Sequence, residues 1–112
     1  MTPYVELKIK GVNFQAVLDT GAYRSQIRSD AVESLGLTND DISYANYPVV
    51  GMKEINVYDL DFEILGIDHI FSDEFNELPY SYTFPIILGS KFIGACKEFR
   101  ILPETMSFEL KL

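Results

Sequence analysis

The sequence predicts an all-β fold, a barrel or sandwich of short strands with one or two short helices. Three observations lead there. Apolar and polar residues alternate over short runs, the period of half-buried strands. Gly, Pro, Asn and Asp punctuate those runs at short intervals. Helical spacing is confined to residues 30–35 and 90–96.

Val5, Leu7 and Ile9 alternate with Glu6, Lys8 and Lys10, and Gly11 permits a tight turn. Phe14 to Leu18 follows as the second strand of a hairpin, with an apolar end buried on both faces. A helix over 30–35 takes Asp30 as N-cap and Glu33 as its capping-box partner. Gly36 sits at C′ and Leu37 packs back at C″. Thr38 to Asn46 is polar and reads as loop. Val49 to Lys53 reads as the tip of a second hairpin. Ile55 and Val57 then point one way, while Leu60, Phe62 and Ile64 follow on even numbers. That change of parity near Tyr58 and Asp59 predicts a β-bulge. Residues 66–79 favour no element, and Tyr80 to Thr83 reads as a weak strand. Phe84 to Leu88 is a short buried strand, and Ser90 caps a helix running to about Cys96. Phe99–Leu102 and Met106–Leu112 form a last hairpin around Pro103-Glu104-Thr105.

Size and charge narrow the function. A chain of 112 residues predicts one domain over 1–112. The net charge is −8, and residues 30–77 hold twelve acids against Lys53 alone. Nucleic acid and anionic membranes, which call for basic faces, are poor partners. The acidic middle reads as a solvated face, or as steering toward cationic substrates. No apolar run is long enough for a spanning helix, and the N-terminus lacks the pattern of a signal peptide. Lone His69 and lone Cys96 give no metal-site spacing, so neither metal nor cofactor is expected. His69 reads as a surface or structural residue and Cys96 as a structural thiol. The aromatics Phe71, Phe75, Tyr80, Tyr82 and Phe84 read as core or dimer contacts. A chain with one thiol points to a reducing compartment, most simply the cytoplasm.

Asp19-Thr20-Gly21-Ala22 is the informative tetrapeptide. It sets a carboxylate at the end of an apolar strand, where acids are rare unless something holds them. Thr20 adds a hydroxyl that both donates and accepts, and Gly21 lets backbone approach closely. An ordinary Asp-Gly turn is the plainer reading of the same residues. Ala16-Val17-Leu18 running into Asp19, and Ile86-Ile87-Leu88 running into Gly89, share one plan, which is a weak internal repeat.

The chain resembles the retropepsin-like aspartic proteases. The resemblance is carried by Phe14 to Ala22, by Ser25 and Ile27, by the helix closing on Leu35-Gly36-Leu37, and by Pro85-Ile86-Ile87-Leu88-Gly89. Val50-Gly51-Met52 lies where that family has its flap. The resemblance implies a closed β-barrel of the acid-protease type and an obligate homodimer. The chain has one Asp-Thr-Gly, and the Gly89 segment has no Asp in the equivalent place. Two carboxylates sharing a proton therefore require a second Asp19 from a two-fold mate. The implied activity is an aspartic endopeptidase with peptide or protein substrates and Asp19 as catalytic residue. Thr20 would tie the two loops across the axis, Gly21 would meet the substrate backbone, and the flap would close over an extended peptide. The resemblance also makes Val5–Ile9 and Phe108–Leu112 candidates for a sheet shared between subunits; pairing within one chain is the alternative.

This chain departs from the family at several places. Tyr23 and Arg24 stand where retroviral members commonly carry an acid, and Ser90 and Lys91 where they carry Arg after the glycine. The flap region has one glycine and Pro48 at its base. These departures motivate the alternative of a catalytically inactive module that binds peptides or only dimerises. A third reading is an unrelated small barrel whose Asp-Thr-Gly is a turn.

Overall fold

The computed structural model describes residues 4–46, 53–78, 83–96, 98–102 and 107–111. The first hairpin forms as the alternation predicts. β1 (Tyr4–Ile9) pairs antiparallel with β2 (Val12–Asp19), with Val5, Leu7 and Ile9 turned inward and buried. Lys10 and Gly11 both have positive φ, +49° and +80°. That is the two-residue turn whose twist matches the flanking strands. Ala16, Val17 and Leu18 are all buried, as a strand covered on both faces requires.

β3 (Ser25–Arg28) leads into α1 (Ser29–Ser34). The helix lies where expected, but its N-cap is Arg28, without a side-chain cap bond, rather than Asp30. Asp30 sits in the first turn, where its carboxylate takes two bonds from Arg28, at 2.6 and 2.9 Å. That fork leaves it oriented toward Arg28 instead of toward the helix amides. The C-terminus follows the sequence. Gly36 has φ +69°, Leu37 N–H donates to Val32 carbonyl oxygen at 3.2 Å, and Gly36 N–H donates to Glu33 carbonyl oxygen at 3.0 Å. These are the two bonds of a Schellman motif.

Residues 38–46 are not loop. Thr38 and Asp41 cap a 3-10 turn over Asn39–Asp41, and β4 (Ile42–Asn46) follows. β4 pairs antiparallel with β5 (Ile55–Ile64). The expected bulge is present, but on the other strand. The register slips between Ile42 and Tyr44, opposite Tyr58 and Val57, while the pairing of β5 with β6 (Ile70–Leu78) runs unbroken. The parity change in β5 thus reflects a segment buried on both faces at Val57 and Tyr58. Residues 66–79, which favoured no element, contain the whole of β6.

β7 (Ile86–Gly89) starts two residues later than the sequence implies and leads into α2 (Ser90–Ala95). The cap of α2 is Gly89, not Ser90. β8 (Glu98–Leu102) and β9 (Ser107–Lys111) form the expected antiparallel hairpin, a two-stranded sheet of its own. Within this chain, β1 pairs with β2 and β5, and β9 with β8. Of the expected strand over Tyr80–Thr83, Thr83 lies in a bend and not a strand, and residues 80–82, like the turn over 103–105 and the flap tip at Val50, Gly51 and Met52, lie outside the described residues.

The strand order β1-β2-β7-β3-β6-β5 returns to β1 through Leu7 opposite Ile64, which closes a six-stranded barrel. Closure removes the exposed edges of those strands. Leu7, Ile9, Ile27, Phe62, Phe75, Ile86 and Leu88 fill the interior. Phe62 stacks on Phe71 at 5.5 Å between ring centres and meets Phe75 edge-on at 5.7 Å. Phe92 of α2 closes against both Phe62 and Phe71 at 5.4 Å. Phe71 and Phe75 are therefore core residues, and Phe84 is half-buried. His69 is exposed with its ring against Phe71. Cys96 packs partly against the core, where burial pushes its thiol pKa up. No helix among the described residues is long and apolar enough to cross a membrane.

Candidate active site

β2 and β7 run parallel, with Leu18 beside Leu88 and Asp19 beside Gly89. The two segments of the weak internal repeat are thus neighbours in the sheet. Asp19 ends β2 half-buried, and Thr20 and Gly21 beyond it are exposed. The apolar run keeps the strand in the barrel wall, and the acid appears where the wall opens. Its Oδ1 accepts from Gly21 N–H at 2.9 Å, and its carbonyl accepts from Ala22 N–H at 3.2 Å. A Cβ on Gly21 would lie 3.1 Å from Asp19 Oδ1 and crowd that bond. The carboxylate is therefore oriented by its own loop.

Gly89 explains itself through close approach. A Cβ there would sit 2.7 Å from the carbonyl oxygens of Ala22 and Arg24. The loop after Asp19 packs directly on this backbone. Ser90 N–H donates to Ala22 carbonyl oxygen at 2.7 Å, and Lys91 N–H donates to Tyr23 carbonyl oxygen at 2.9 Å. The first amides of α2 are thus satisfied by the Asp19 loop, which is why Ser90 has no capping work to do. Leu88 and Gly89 are both buried.

Arg24 and Lys91, two of the residues at the departures from the retroviral pattern, find side-chain partners within the chain. Arg24 donates to the Tyr44 hydroxyl and lies 3.8 Å from Glu74. Lys91 reaches the other oxygen of Glu74 at 3.5 Å. The Tyr44 hydroxyl, then Lys91 and Arg24, hold the Glu74 carboxyl below the usual carboxylate range against its partial burial. This cluster links the Asp19 loop, β4, β6 and α2 around one acid.

Sequence reasoning missed a second polar contact. Ser25, fully buried, donates to Asp73 Oδ2 at 2.5 Å and accepts from Gly89 N–H at 3.1 Å. A buried hydroxyl six residues after Asp19 was visible, but nothing in the chain pointed to a partner 48 residues on. Asn76 is also buried, and its Oδ1 has no partner among the described residues. No group of three or more His, Cys, Asp or Glu among the described residues is placed to hold a metal ion.

Comparisons with known proteins agree with this architecture. A family model described as "Aspartyl protease" matches residues 5–62, which include Asp19 to Ala22. The fold is similar to the retroviral protease-like domain of Ddi1 from Leishmania major, with TM-score 0.72, 21% identity, and 98% of this chain and 88% of that one covered. It is also similar to a retropepsin-like aspartic protease from Rickettsia conorii, with TM-score 0.69, 18% identity, and 91% and 77% covered. The Simian Foamy Virus (mac) protease superposes with TM-score 0.58, 24% identity, and 81% and 91% covered. No curated protein sequence matches the chain. The family match, which runs through the Asp-Thr-Gly loop, shows that this chain belongs to the aspartyl protease family, and its barrel, closed around a parallel β2–β7 pair, has the retropepsin-like fold.

Proposed function

We propose that the chain is a single domain forming one half of a homodimeric aspartic endopeptidase, with Asp19 as its catalytic residue. The observation that carries this reading is the Asp19 loop itself. A half-exposed carboxylate stands at the open end of a buried strand, oriented by Gly21 N–H and braced by Gly89. Peptide hydrolysis by this chemistry needs two such carboxylates, and the chain contains one Asp-Thr-Gly. The parallel partner of β2 ends in Gly89, which has no carboxylate to offer. A two-fold mate supplies the second Asp19. Of the two terminal segments that the resemblance makes candidates for the shared sheet, Val5–Ile9 pairs within the barrel and Phe108–Leu112 overlaps β9 of the separate β8–β9 sheet, so this reading gives the two-fold contact to the latter.

The steps follow from electrostatics. Two carboxylates a few ångströms apart share one proton, because the second ionisation is opposed by the first charge. The ionised acid takes a proton from a water, whose oxygen bonds to the scissile carbonyl carbon. The protonated acid hydrogen-bonds the carbonyl oxygen as charge develops there. When the C–N bond breaks, the amine leaves with a proton from the pair, and the carboxyl product remains. The roles can exchange between subunits, so the apparent pKa values belong to the pair. In this reading Thr20 ties the two loops, Gly21 and Ala22 border the substrate, and Val50, Gly51 and Met52 cover it.

Asp19→Asn tests the assignment. With a peptide library assayed from pH 4 to 7, cleavage should fall about a thousandfold or more, as loss of a group acting in a catalytic unit does. Cleavage at the parent rate would remove Asp19 from the mechanism. Tight peptide binding without turnover by the parent dimer would instead establish a binding module.

A further inference from the structure

The ladder between β3 and β7 stops one residue short of the Asp19 loop. Its registered pairs are Ile27 with Ile86 and Gln26 with Ile87. Gly89 is buried, and its N–H is met by the side chain of Ser25 instead of by a strand carbonyl. A hydroxyl has one proton and two lone pairs. The Ser25 proton is committed to Asp73 Oδ2 at 2.5 Å, which turns the oxygen's lone pairs toward Gly89 N–H. Asp73 comes from β6, two residues before the partner of Ser25 in the β3–β6 register, Phe75. Gly89 is in turn registered beside Asp19, and the backbone that follows it clamps Ala22 and Tyr23.

We propose that Asp73 and Ser25 are positioning residues for the Asp19 loop, the carboxylate orienting the hydroxyl and the hydroxyl fixing the Gly89 amide. The inference rests on Asp19 being the catalytic acid. Gly89 is the hinge of the argument. A Cβ there would lie only 2.7 Å from the backbone of Ala22 and Arg24, and the amides that follow bond to Ala22 and Tyr23, so a shift of the Gly89 backbone is passed to the loop rather than absorbed by a gap. A displaced loop still binds peptide but presents its carboxylate off line, and misplacement of this kind is felt in turnover. Asp73 is half-buried beside an open groove bordered by Asp59, Glu74 and Lys91, so a change there is tolerated by the barrel interior.

The test uses the full chain with Ser25→Ala, Asp73→Asn and the conservative Ser25→Thr. Amide hydrogen exchange at Gly89 is followed by NMR beside Leu7 and Ile9 of the barrel wall. Exchange at Gly89 should quicken at least tenfold in Ser25→Ala and at least threefold in Asp73→Asn, with Leu7 and Ile9 unchanged. In peptide hydrolysis, kcat should fall tenfold or more while KM stays within twofold. Ser25→Thr should return both readouts to within threefold of the parent. Unchanged Gly89 exchange in Asp73→Asn overturns the relay, even if Ser25→Ala fails to fold. Equal acceleration at Gly89 and Leu7 also overturns it, because that marks general loosening. A parent without peptidase activity would sink the Asp19 reading alone, since the exchange experiment decides the relay by itself.

Discussion

Gly89 and Asp19 illustrate what single residues contribute. Asp19-Thr20-Gly21 was legible because a carboxylate ending an apolar strand is chemically unusual. Gly89 was legible only as a glycine after a buried strand; its reason, contact with carbonyl oxygens 65 and more residues away in sequence, exists only in the fold. Ser25 and Asp73 were less legible still, since nothing local pairs a serine with an acid across 48 residues. The steric argument makes a definite prediction. In Gly89→Ala the new methyl meets the backbone of Ala22 and Arg24 at 2.7 Å, and backbone cannot rotate away as a side chain can. Overpacking of this kind costs about 1–3 kcal/mol. Urea unfolding should show that loss, and peptide cleavage should fall further than stability does because the strain lies against Ala22. A Gly89→Ala protein with parental stability and turnover would show that the 22–24 loop can retreat freely.

At the level of elements, periodicity located β1, β2, β5, β7 and the last hairpin. It failed where tertiary bonds replaced local ones. The caps of both helices were misassigned for one reason: Asp30 is held by Arg28, and the first amides of α2 are held by the Asp19 loop. β4 was hidden because the slip between Ile42 and Tyr44 breaks the alternation that marks a strand. The β5–β6 pair also sets up a titration. The Tyr58 hydroxyl is buried and donates to Glu77 at 3.0 Å, which also accepts from Ser29. Burial, then the Glu77 bond and charge, push the Tyr58 pKa from 10.0 to about 12. In the unfolded chain this phenol ionises near 10, so between about pH 10 and 12 the unfolded state releases a proton that the folded state keeps. Stability fully present below pH 10 is therefore lost as pH rises through that window, by about 2–3 kcal/mol at its end. Tyr58→Phe has no such proton. Denaturation of the two proteins at pH 8 and pH 11.5 should show the parent losing more stability than the variant, and parallel losses would place the titration elsewhere.

For the molecule as a whole, the pairing of Leu7 with Ile64 closes the barrel within one chain, while under the proposed two-carboxylate chemistry its one Asp-Thr-Gly supplies half of a site. Folding and function are then separable by dilution. A folded but separated chain keeps its core and has one carboxylate, so the specific activity of the proposed enzyme should rise with protein concentration until the dimer saturates. Charge sets where that rise falls. Each copy carries −8, so association brings together two anionic bodies, and salt that screens their repulsion favours the dimer. Raising ionic strength from about 0.05 to 0.5 M, where the Debye length shrinks from above 10 Å to under 5 Å, should move the activity midpoint to lower protein concentration. Circular dichroism should stay constant across the same dilution series. Specific activity that is flat from nanomolar to tens of micromolar protein, in a sample sedimenting as a monomer throughout, would mean that one Asp19 suffices and that the two-carboxylate chemistry is wrong for this chain.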